Sequence, residues 1–100
     1  MSPQNPQPFT DAQIAEALTG LPGWERDGDT IKKTYTLEHY TSGLAFASAV
    51  GMIAEGLDHH PEMIIGWRKV TVIYHTHSAG NKITHKDIEA AQAIEALPLS

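Results

Sequence analysis

The chain has 100 residues, 41% of them hydrophobic and 19% charged, which suits one compact domain with a single hydrophobic core. It has no cysteine, so disulfides and thiolate metal sites are excluded. The formal net charge of −5 disfavours binding to a phosphate backbone, and nucleic acid is not an expected direct ligand. The sequence has neither an apolar run of the roughly 20 residues that a membrane helix needs nor a leader-like start, so we expect no membrane association and a cytoplasmic location.

The N-terminal residues divide into a tail and the start of a folded domain. Residues 1–8 are rich in Pro, Gln and Asn, which predicts a disordered tail followed by a single domain over residues 9–98. Thr10 and Gln13 have the spacing of a capping box, in which the side chain of each residue satisfies a free backbone N–H group of the other. This pattern predicts that a helix begins here and ends near Thr19.

Two strands and a long helix are expected next. Residues 24–26 and 30–37 flank a turn sequence at 27–29, and alternate residues of the second segment share a face, so the two segments predict a hairpin with one buried side. From about Tyr40 to Gly56 apolar residues recur at helical spacing, which predicts the longest helix of the core. The residues expected to face the core are Leu44, Ala47, Val50, Ala54 and Leu57, and Phe46 and Ile53 widen this stripe.

A second strand pair and a final helix complete the predicted fold. Residues 62–65 and 69–76 flank a turn and are rich in Val, Ile and Tyr, as strands are. Thr84 and Asp87 repeat the capping-box pattern and predict a helix at about 85–97, which gives the Asp87 carboxylate a structural explanation. The resulting order, α-β-β-α-β-β-α, predicts an α+β fold in which a four-stranded antiparallel sheet has its helices packed on one face.

The tandem pair His59-His60 is the first part of a candidate site. Histidine both takes and gives a proton near neutral pH, and four of the six histidines lie in two short segments of this chain. Pro61 follows the pair, and the residue before a proline is pushed out of the helical region. We therefore expect His59 and His60 to lie on an extended corner where the long helix has just ended.

His75 and His77 form the second part of this site. If the strand at 69–76 stays regular to its end, alternation places both imidazoles on one face and Thr76 on the other. A hairpin brings the start of its first strand next to the end of its second strand. The two pairs of histidines are therefore predicted to meet at the same end of the sheet and to form one site for proton transfer or metal binding.

These segments resemble the signature of the pterin-4a-carbinolamine dehydratases. The resemblance rests on the segment Ala54–Glu62, on Lys69-Val70, on Thr76–Gly80 and on Thr84–Asp87, and it covers about residues 10 to 97. It implies dehydration of a 4a-hydroxytetrahydropterin to the quinonoid dihydropterin in the recycling of a tetrahydrobiopterin-type cofactor. It also implies that the reaction uses neither a metal nor a bound cofactor.

The resemblance further implies a set of site residues. The catalytic set would be His59, His60 and His77, of which we expect His60 and His77 to be the acid/base pair and His59 to orient or anchor the substrate. Glu55 matches an acidic residue that can hydrogen-bond an imidazole and set its tautomer. The other residues that would line the pterin pocket are Asp58, Thr76 and Ser78.

The chain departs from the family pattern at three positions. Met63 stands where the family commonly has a tryptophan, so a flat wall of the pterin pocket would be replaced by a flexible thioether. His75 stands where a small hydroxyl residue is usual, and it would serve as a polar lining residue of the pocket. Lys86 replaces a more usual arginine, which keeps the charge and loses the planar fork. We expect these changes to affect substrate affinity more than chemistry.

Two other functions stay open at this point, and so does the oligomeric state. The four clustered histidines could supply nitrogen ligands to zinc or another divalent ion, although adjacent histidines seldom both point at one ion. A binding module is the other alternative, because the family also contains transcriptional co-activators and assembly-factor relatives, which implies a protein partner. The uncovered sheet face and edges, together with the resemblance, imply a homodimer or homotetramer.

Overall fold

Three helices and a four-stranded antiparallel sheet form the fold. The computed structural model describes residues 6–98, so most of the predicted tail at 1–8 lies outside the described residues. The predicted order α-β-β-α-β-β-α and the α+β class are confirmed. The elements are α1 (Asp11–Leu18), β1 (Glu25–Asp27), β2 (Thr30–Thr36), α2 (Tyr40–Leu57), β3 (Glu62–Gly66), β4 (Lys69–Tyr74), a short 3₁₀ helix (His77–Ala79) and α3 (His85–Glu95).

Both predicted capping boxes are present at the starts of their helices. Thr10 accepts a hydrogen bond from the backbone N–H of Gln13 at 3.1 Å, and the Gln13 side chain accepts one from the Thr10 N–H at 2.8 Å. Thr84 and Asp87 form the same reciprocal pair at the start of α3. Each cap stabilises its helix by about 1 kcal/mol, because it satisfies N–H groups that the first helical turn leaves free.

The sheet has the strand order β1-β2-β4-β3, so β2 and β4 are central and β3 is an edge strand. Alternation gives β2 and β4 one face that packs against the helices, while the other face stays open. On the open face, Ile73 of β4 lies between Lys32 of β2 and Glu62 of β3. The residues of the two central strands that are buried in the core are Ile31, Tyr35, Val70, Val72 and Tyr74.

The buried stripe of α2 differs in part from the predicted stripe. Ala47, Val50 and Ala54 are buried as expected, but Leu44 and Leu57 are 41% and 44% exposed, so their placement in the core was wrong. Phe46 is buried as predicted, and Ile53 is partly buried against the core. The buried residues of the helix are Gly43, Phe46, Ala47, Val50 and Ala54. A methyl group at Gly43 would lie 3.5 Å from a Val70 methyl group, which shows how closely the helix approaches β4 there.

The C-terminal end of α3 is fixed by a single carboxylate oxygen. Glu95 Oε2 accepts hydrogen bonds from Trp24 Nε1 at 3.2 Å, from Lys33 Nζ at 2.8 Å and from Tyr35 Oη at 2.5 Å. Burial opposes ionisation of Glu95, but the hydrogen bonds from Lys33 and Tyr35 and the charge of Lys33 prevail and lower its pKa. Burial, together with the neighbouring Glu95 carboxylate, raises the pKa of Tyr35. Within residues 6–98, no helix combines the length and the hydropathy needed to cross a membrane.

Candidate active site

The tandem histidines lie on the corner between α2 and β3. Asp58 ends α2 in the left-handed conformation, with φ 50° and ψ 44°. The N–H of His59 then bonds to the carbonyl of Ala54 at 3.0 Å, which closes the last turn of the helix. Pro61 has no N–H to continue the helix, so the chain leaves in an extended direction and enters β3 at Glu62.

The second histidine segment follows the end of β4. The strand ends at Tyr74 rather than at Thr76, so the predicted strand was two residues too long. Thr76 still forms an isolated bridge with Lys82, in which its N–H bonds to the Lys82 carbonyl at 2.9 Å. Thr76 is 2% exposed, while His75 and His77 on either side of it are exposed. The alternation predicted for this segment therefore persists in the burial pattern beyond the regular strand.

The two segments line one hollow of about 390 Å³, here called the histidine hollow. Glu55 is not a lining residue but contacts the site through His60. Met63 lies elsewhere, because it is opposite the fully buried Val72 in the sheet register and packs against the core. The residues that line the hollow are Asp58, His59, His60, His75, Thr76, His77, Ser78 and Lys86, seven of which sequence reasoning had selected as site residues.

His59 is held from two sides. Its Nε2 lies 2.6 Å from Asp87 Oδ1, and its ring stacks on the ring of Tyr74 with centroids 5.0 Å apart and planes 22° from parallel. Only 11% of the His59 side chain is exposed. Because a carboxylate accepts and cannot donate, Nε2 carries the hydrogen, which leaves the lone pair of the neutral ring on Nδ1. The surroundings therefore fix both the orientation and the tautomer of this imidazole.

Asp87 lies behind the histidine hollow and hydrogen-bonds both to His59 and to the start of α3. Its side chain is fully buried. Its Oδ2 accepts hydrogen bonds from the Thr76 hydroxyl at 2.8 Å and from the Thr84 N–H at 2.9 Å. Since the only hydroxyl hydrogen of Thr76 is used there, the Thr84 hydroxyl donates to Thr76 Oγ1 at 2.7 Å. Both oxygens of the carboxylate are therefore occupied, Oδ1 by His59 and Oδ2 by Thr76 and the helix cap.

Sequence reasoning had explained Asp87 as a capping residue and had not selected it as a site residue. The cap is confirmed, but it uses only one oxygen, and the other oxygen binds His59. The pattern 84–87 belongs to the same family signature as the two histidine segments, and this was the signal that could have revealed the second role. Periodicity and spacing do not carry that information, because they do not show which side chain lies across the helix start.

Tyr74 supports His59 through the backbone as well as through its ring. Its hydroxyl donates to the His59 carbonyl at 3.0 Å. Burial and the nearby charge of Asp87 raise the pKa of Tyr74 to about 12. The hydroxyl thus remains a donor throughout the neutral range, and the carbonyl of His59 stays satisfied.

Of the three imidazoles predicted to be catalytic, His60 and His77 are more accessible than His59. His60 Nε2 lies 2.5 Å from Glu55 Oε1, and 54% of the His60 side chain is exposed. His77 Nδ1 lies 3.0 Å from the amide oxygen of Asn81. Both partners accept, so each ring donates through one nitrogen and keeps the other for a ligand. Across residues 6–98 there is no group of three or more His, Asp or Glu side chains arranged to hold a metal ion.

Comparison with known proteins identifies the family. The model of the pterin 4 alpha carbinolamine dehydratase family matches residues 7–97. The chain belongs to this family. Membership makes it a dehydratase, that is, an enzyme of the hydro-lyase class, and confirms the resemblance drawn from the histidine segments.

Similar proteins within the family cover nearly all of this chain. A protein of Natronomonas pharaonis is 49% identical over 89 residues, which are 89% of this chain and 94% of that protein. A protein of Mycobacteroides abscessus is 43% identical over 87% of this chain and 92% of its own length. Both are provisionally named as pterin-4-alpha-carbinolamine dehydratases.

A solved structure of the family shares the fold. It is the crystal structure of a Brucella melitensis protein described as a transcriptional coactivator/pterin dehydratase. That structure matches with a TM-score of 0.84 and 30% identity, over 90% of this chain and 97% of the other.

Proposed function

We propose that the chain dehydrates a 4a-hydroxytetrahydropterin to the quinonoid dihydropterin and works in the cytoplasm in the recycling of a tetrahydrobiopterin-type cofactor. The observation that carries this proposal is that the two histidine segments line one hollow, of about 390 Å³. A hollow of that size suits a small heterocycle. Proton donors and acceptors on two sides of it suit a reaction that moves two protons.

The proposed reaction breaks one carbon–oxygen bond. His60 gives a proton to the hydroxyl at C4a, which leaves as water. His77 takes a proton from a ring nitrogen, and the electron pair of that N–H bond forms the new carbon–nitrogen double bond. Each of these transfers is worth about 10²- to 10⁴-fold in rate. We assign the donor role to His60 because the Glu55 carboxylate at 2.5 Å compensates the charge of a protonated ring.

His59 is proposed to orient the substrate rather than to exchange protons. It is the least exposed of the three rings, and Asp87 and Tyr74 hold it in one position. A fixed ring is suited to a constant hydrogen bond with the pterin, whereas the exposed rings of His60 and His77 can reach solvent and regain or release their protons. Asp87 acts through His59 and is in this proposal a positioning residue.

The remaining residues of the predicted pocket have different tasks in this proposal. Asp58, Ser78 and His75 offer polar groups to the edges of the pterin ring. Thr76 lines the hollow, but its hydroxyl hydrogen is directed at Asp87, so it serves the site by holding that carboxylate. Met63 packs against the core and is proposed to influence the substrate only through the position of β3.

The test is dehydration of chemically generated 4a-hydroxytetrahydropterin, followed by absorbance, with the wild type beside His60→Ala and His77→Ala. Faster loss of the carbinolamine with the wild type than without protein, and a large decrease in both variants, would support the proposal. Pterin affinity without any acceleration would instead favour a binding module. One equivalent of tightly bound zinc in elemental analysis, required for activity, would favour the metal alternative.

We further propose that the chain forms a homodimer or homotetramer. The edge strand β3 and the turn after it expose Ile64, Ile65 and Trp67, of which Trp67 is 73% exposed. Met52 on α2 is 74% exposed, and Leu44 lies on the same helix. Unpaired strand edges and exposed apolar side chains favour association. Sedimentation equilibrium between 1 and 100 µM protein tests this, and a monomer over the whole range would reject it.

A further inference from the structure

The loop that carries His77 is closed by its own backbone. The N–H of Thr76 bonds to the Lys82 carbonyl at 2.9 Å, and the Thr76 carbonyl accepts from the N–H groups of Ala79 and Asn81, each at 3.1 Å. Thr76 is only 2% exposed, whereas most residues between it and Lys82 are exposed. The loop is therefore fixed to the interior of the protein through one buried residue.

Asn81 has a backbone conformation that few residues adopt at low cost. Its φ of 64° lies in the left-handed region, as does the φ of 72° of Gly80 before it. Asparagine tolerates this region better than most residues with a side chain, because its short polar side chain can hydrogen-bond locally. Here the local partner is Nδ1 of His77, which lies 3.0 Å from the amide oxygen of Asn81. The closed loop thus holds the amide against the imidazole.

The partner of His77 differs in charge from the partners of the other two imidazoles predicted to be catalytic. His59 has the Asp87 carboxylate at 2.6 Å. His60 has the Glu55 carboxylate at 2.5 Å. A carboxylate stabilises a protonated imidazole by its charge, whereas an amide oxygen selects a tautomer without adding charge. A ring that is held by an amide is therefore suited to take a proton during a reaction and to release it afterwards.

We propose that Asn81 is a positioning residue that keeps the hydrogen of the neutral His77 ring on Nδ1, so that Nε2 is the base of the reaction. This inference rests on the proposed function, in which His77 takes a proton from the pterin. That proton moves from the pterin ring nitrogen to Nε2, its N–H electron pair forms the carbon–nitrogen double bond, and the Nδ1–H group stays bonded to Asn81. Without this partner the ring is free to adopt the other tautomer, in which Nε2 already carries a hydrogen and cannot accept one.

Nitrogen-15 NMR of the imidazole rings and dehydration kinetics together test the inference. The ¹⁵N shifts show which nitrogen of a neutral ring carries the hydrogen, and this measurement needs no substrate. Asn81→Gly removes the amide and suits the left-handed backbone, so the loop can keep its conformation. Asn81→Asp keeps an acceptor oxygen in the same place. Circular dichroism and thermal unfolding show whether each variant is folded.

Arg68→Gly is the matched control. Arg68 also has a left-handed backbone, with φ 60°, and its side chain donates one hydrogen bond, from Nε to the Leu37 carbonyl at 3.2 Å. It lies in the turn between β3 and β4, at the end of these strands that is opposite to the histidine hollow. The control therefore makes the same backbone change and removes one side-chain hydrogen bond away from the site.

The expected result links the tautomer of His77 to the rate. In the wild type and in Asn81→Asp, His77 carries its hydrogen on Nδ1. In Asn81→Gly the ratio of the two tautomers shifts about 5-fold toward hydrogen on Nε2, as loss of one neutral hydrogen bond predicts. The same variant loses about 5- to 10-fold in kcat, while KM changes less than about 2-fold. Arg68→Gly keeps both the tautomer and kcat of the wild type.

The outcomes separate this inference from the proposed function. Hydrogen on Nε2 of His77 in the wild type, or an unchanged kcat in Asn81→Gly, would overturn the inference and leave the dehydratase proposal intact. An equal loss of kcat in Arg68→Gly would assign the effect to the backbone and would also overturn it. If the tautomers followed the expectation but the wild type did not accelerate dehydration, the proposed function and the role of Nε2 as its base would both be rejected.

Discussion

Replacing Asp87 with asparagine separates the two tasks of this side chain. The amide oxygen of asparagine can still accept from the Thr76 hydroxyl and the Thr84 N–H, which now bind Oδ2 at 2.8 and 2.9 Å. The amide nitrogen then replaces Oδ1, which binds His59 Nε2 at 2.6 Å. Because that nitrogen donates, it forces the hydrogen of the His59 ring from Nε2 to Nδ1. The cap survives while the tautomer of His59 changes.

The magnitudes follow from the charge that is lost. The bond to His59 becomes a neutral one, and the bonds from Thr76 and Thr84 are no longer charge-assisted, which together costs about 2 kcal/mol in the free energy of unfolding. For a chain of this size that corresponds to a decrease in Tm of about 8 to 16 °C. Loss of a partner that orients a site imidazole decreases kcat by about 10- to 100-fold. KM is expected to rise less, because the walls of the histidine hollow remain in place.

Urea unfolding and steady-state dehydration kinetics provide the assays, and Gln13→Ala provides the matched control. Gln13 has the same capping task at the start of α1, but its partner Thr10 is exposed and is not a site residue. Its loss should cost at most about 1 kcal/mol and leave kcat unchanged. If Asp87→Asn behaved like Gln13→Ala in both assays, the tautomer argument would be refuted.

Three further predictions concern the other groups of the fold. His60→Ala and His77→Ala should each decrease kcat about 10²- to 10⁴-fold, which is more than His59→Ala should decrease it. If the His59 variant were the most impaired in a series of pH–rate profiles, the assigned roles would be rejected. Because the pKa of Glu95 is lowered, its contribution to stability is present above about pH 4.5 and is lost as the pH falls. Glu95→Gln should therefore decrease the free energy of unfolding, measured in urea at pH 7, by about 1 to 2 kcal/mol. At pH 3 the difference in this free energy between the variant and the wild type should be smaller. The pKa of Tyr74 is raised to about 12, so the wild type should lose stability between pH 10 and 12, where this tyrosine ionises only in the unfolded chain. Tyr74→Phe should be less stable by about 1 kcal/mol at pH 7 but should lack that part of the decrease. Equal slopes of the free energy of unfolding against pH in the two proteins would contradict this prediction.

Local patterns were enough to predict the order of elements and the meeting of the histidines. The capping boxes at Thr10 and Thr84 are short-range signals, since each of their hydrogen bonds joins residues at most three apart. The meeting of His59 with His77 follows from the geometry of any hairpin. Family resemblance then added Asp58 and Ser78 to the predicted site and suggested the proposed role of the hollow, because periodicity alone does not indicate a substrate.

Contacts between distant elements explain what the sequence did not reveal. The face that α2 buries depends on the close approach of Gly43 to Val70. Because Gly43 faces β4 in this orientation, Leu44 lies outside the buried face that the sequence predicted. The second bond of Asp87 crosses 28 positions of the chain to reach His59. β4 stops at Tyr74 because the bridge from Thr76 goes to Lys82 rather than to β3. Each of these outcomes depends on a partner that local spacing does not specify.

Asp58 has a consequence for how this protein would respond to selection for heat resistance alone. Its left-handed backbone suits glycine better than any residue with a side chain, by about 1 kcal/mol. A thermostability screen without a functional readout should therefore enrich glycine at this helix end. Such variants would unfold at a higher temperature but would carry no carboxylate at the rim of the histidine hollow. Under the proposed function they would bind the pterin more weakly, so stability would be gained at the expense of ligand affinity.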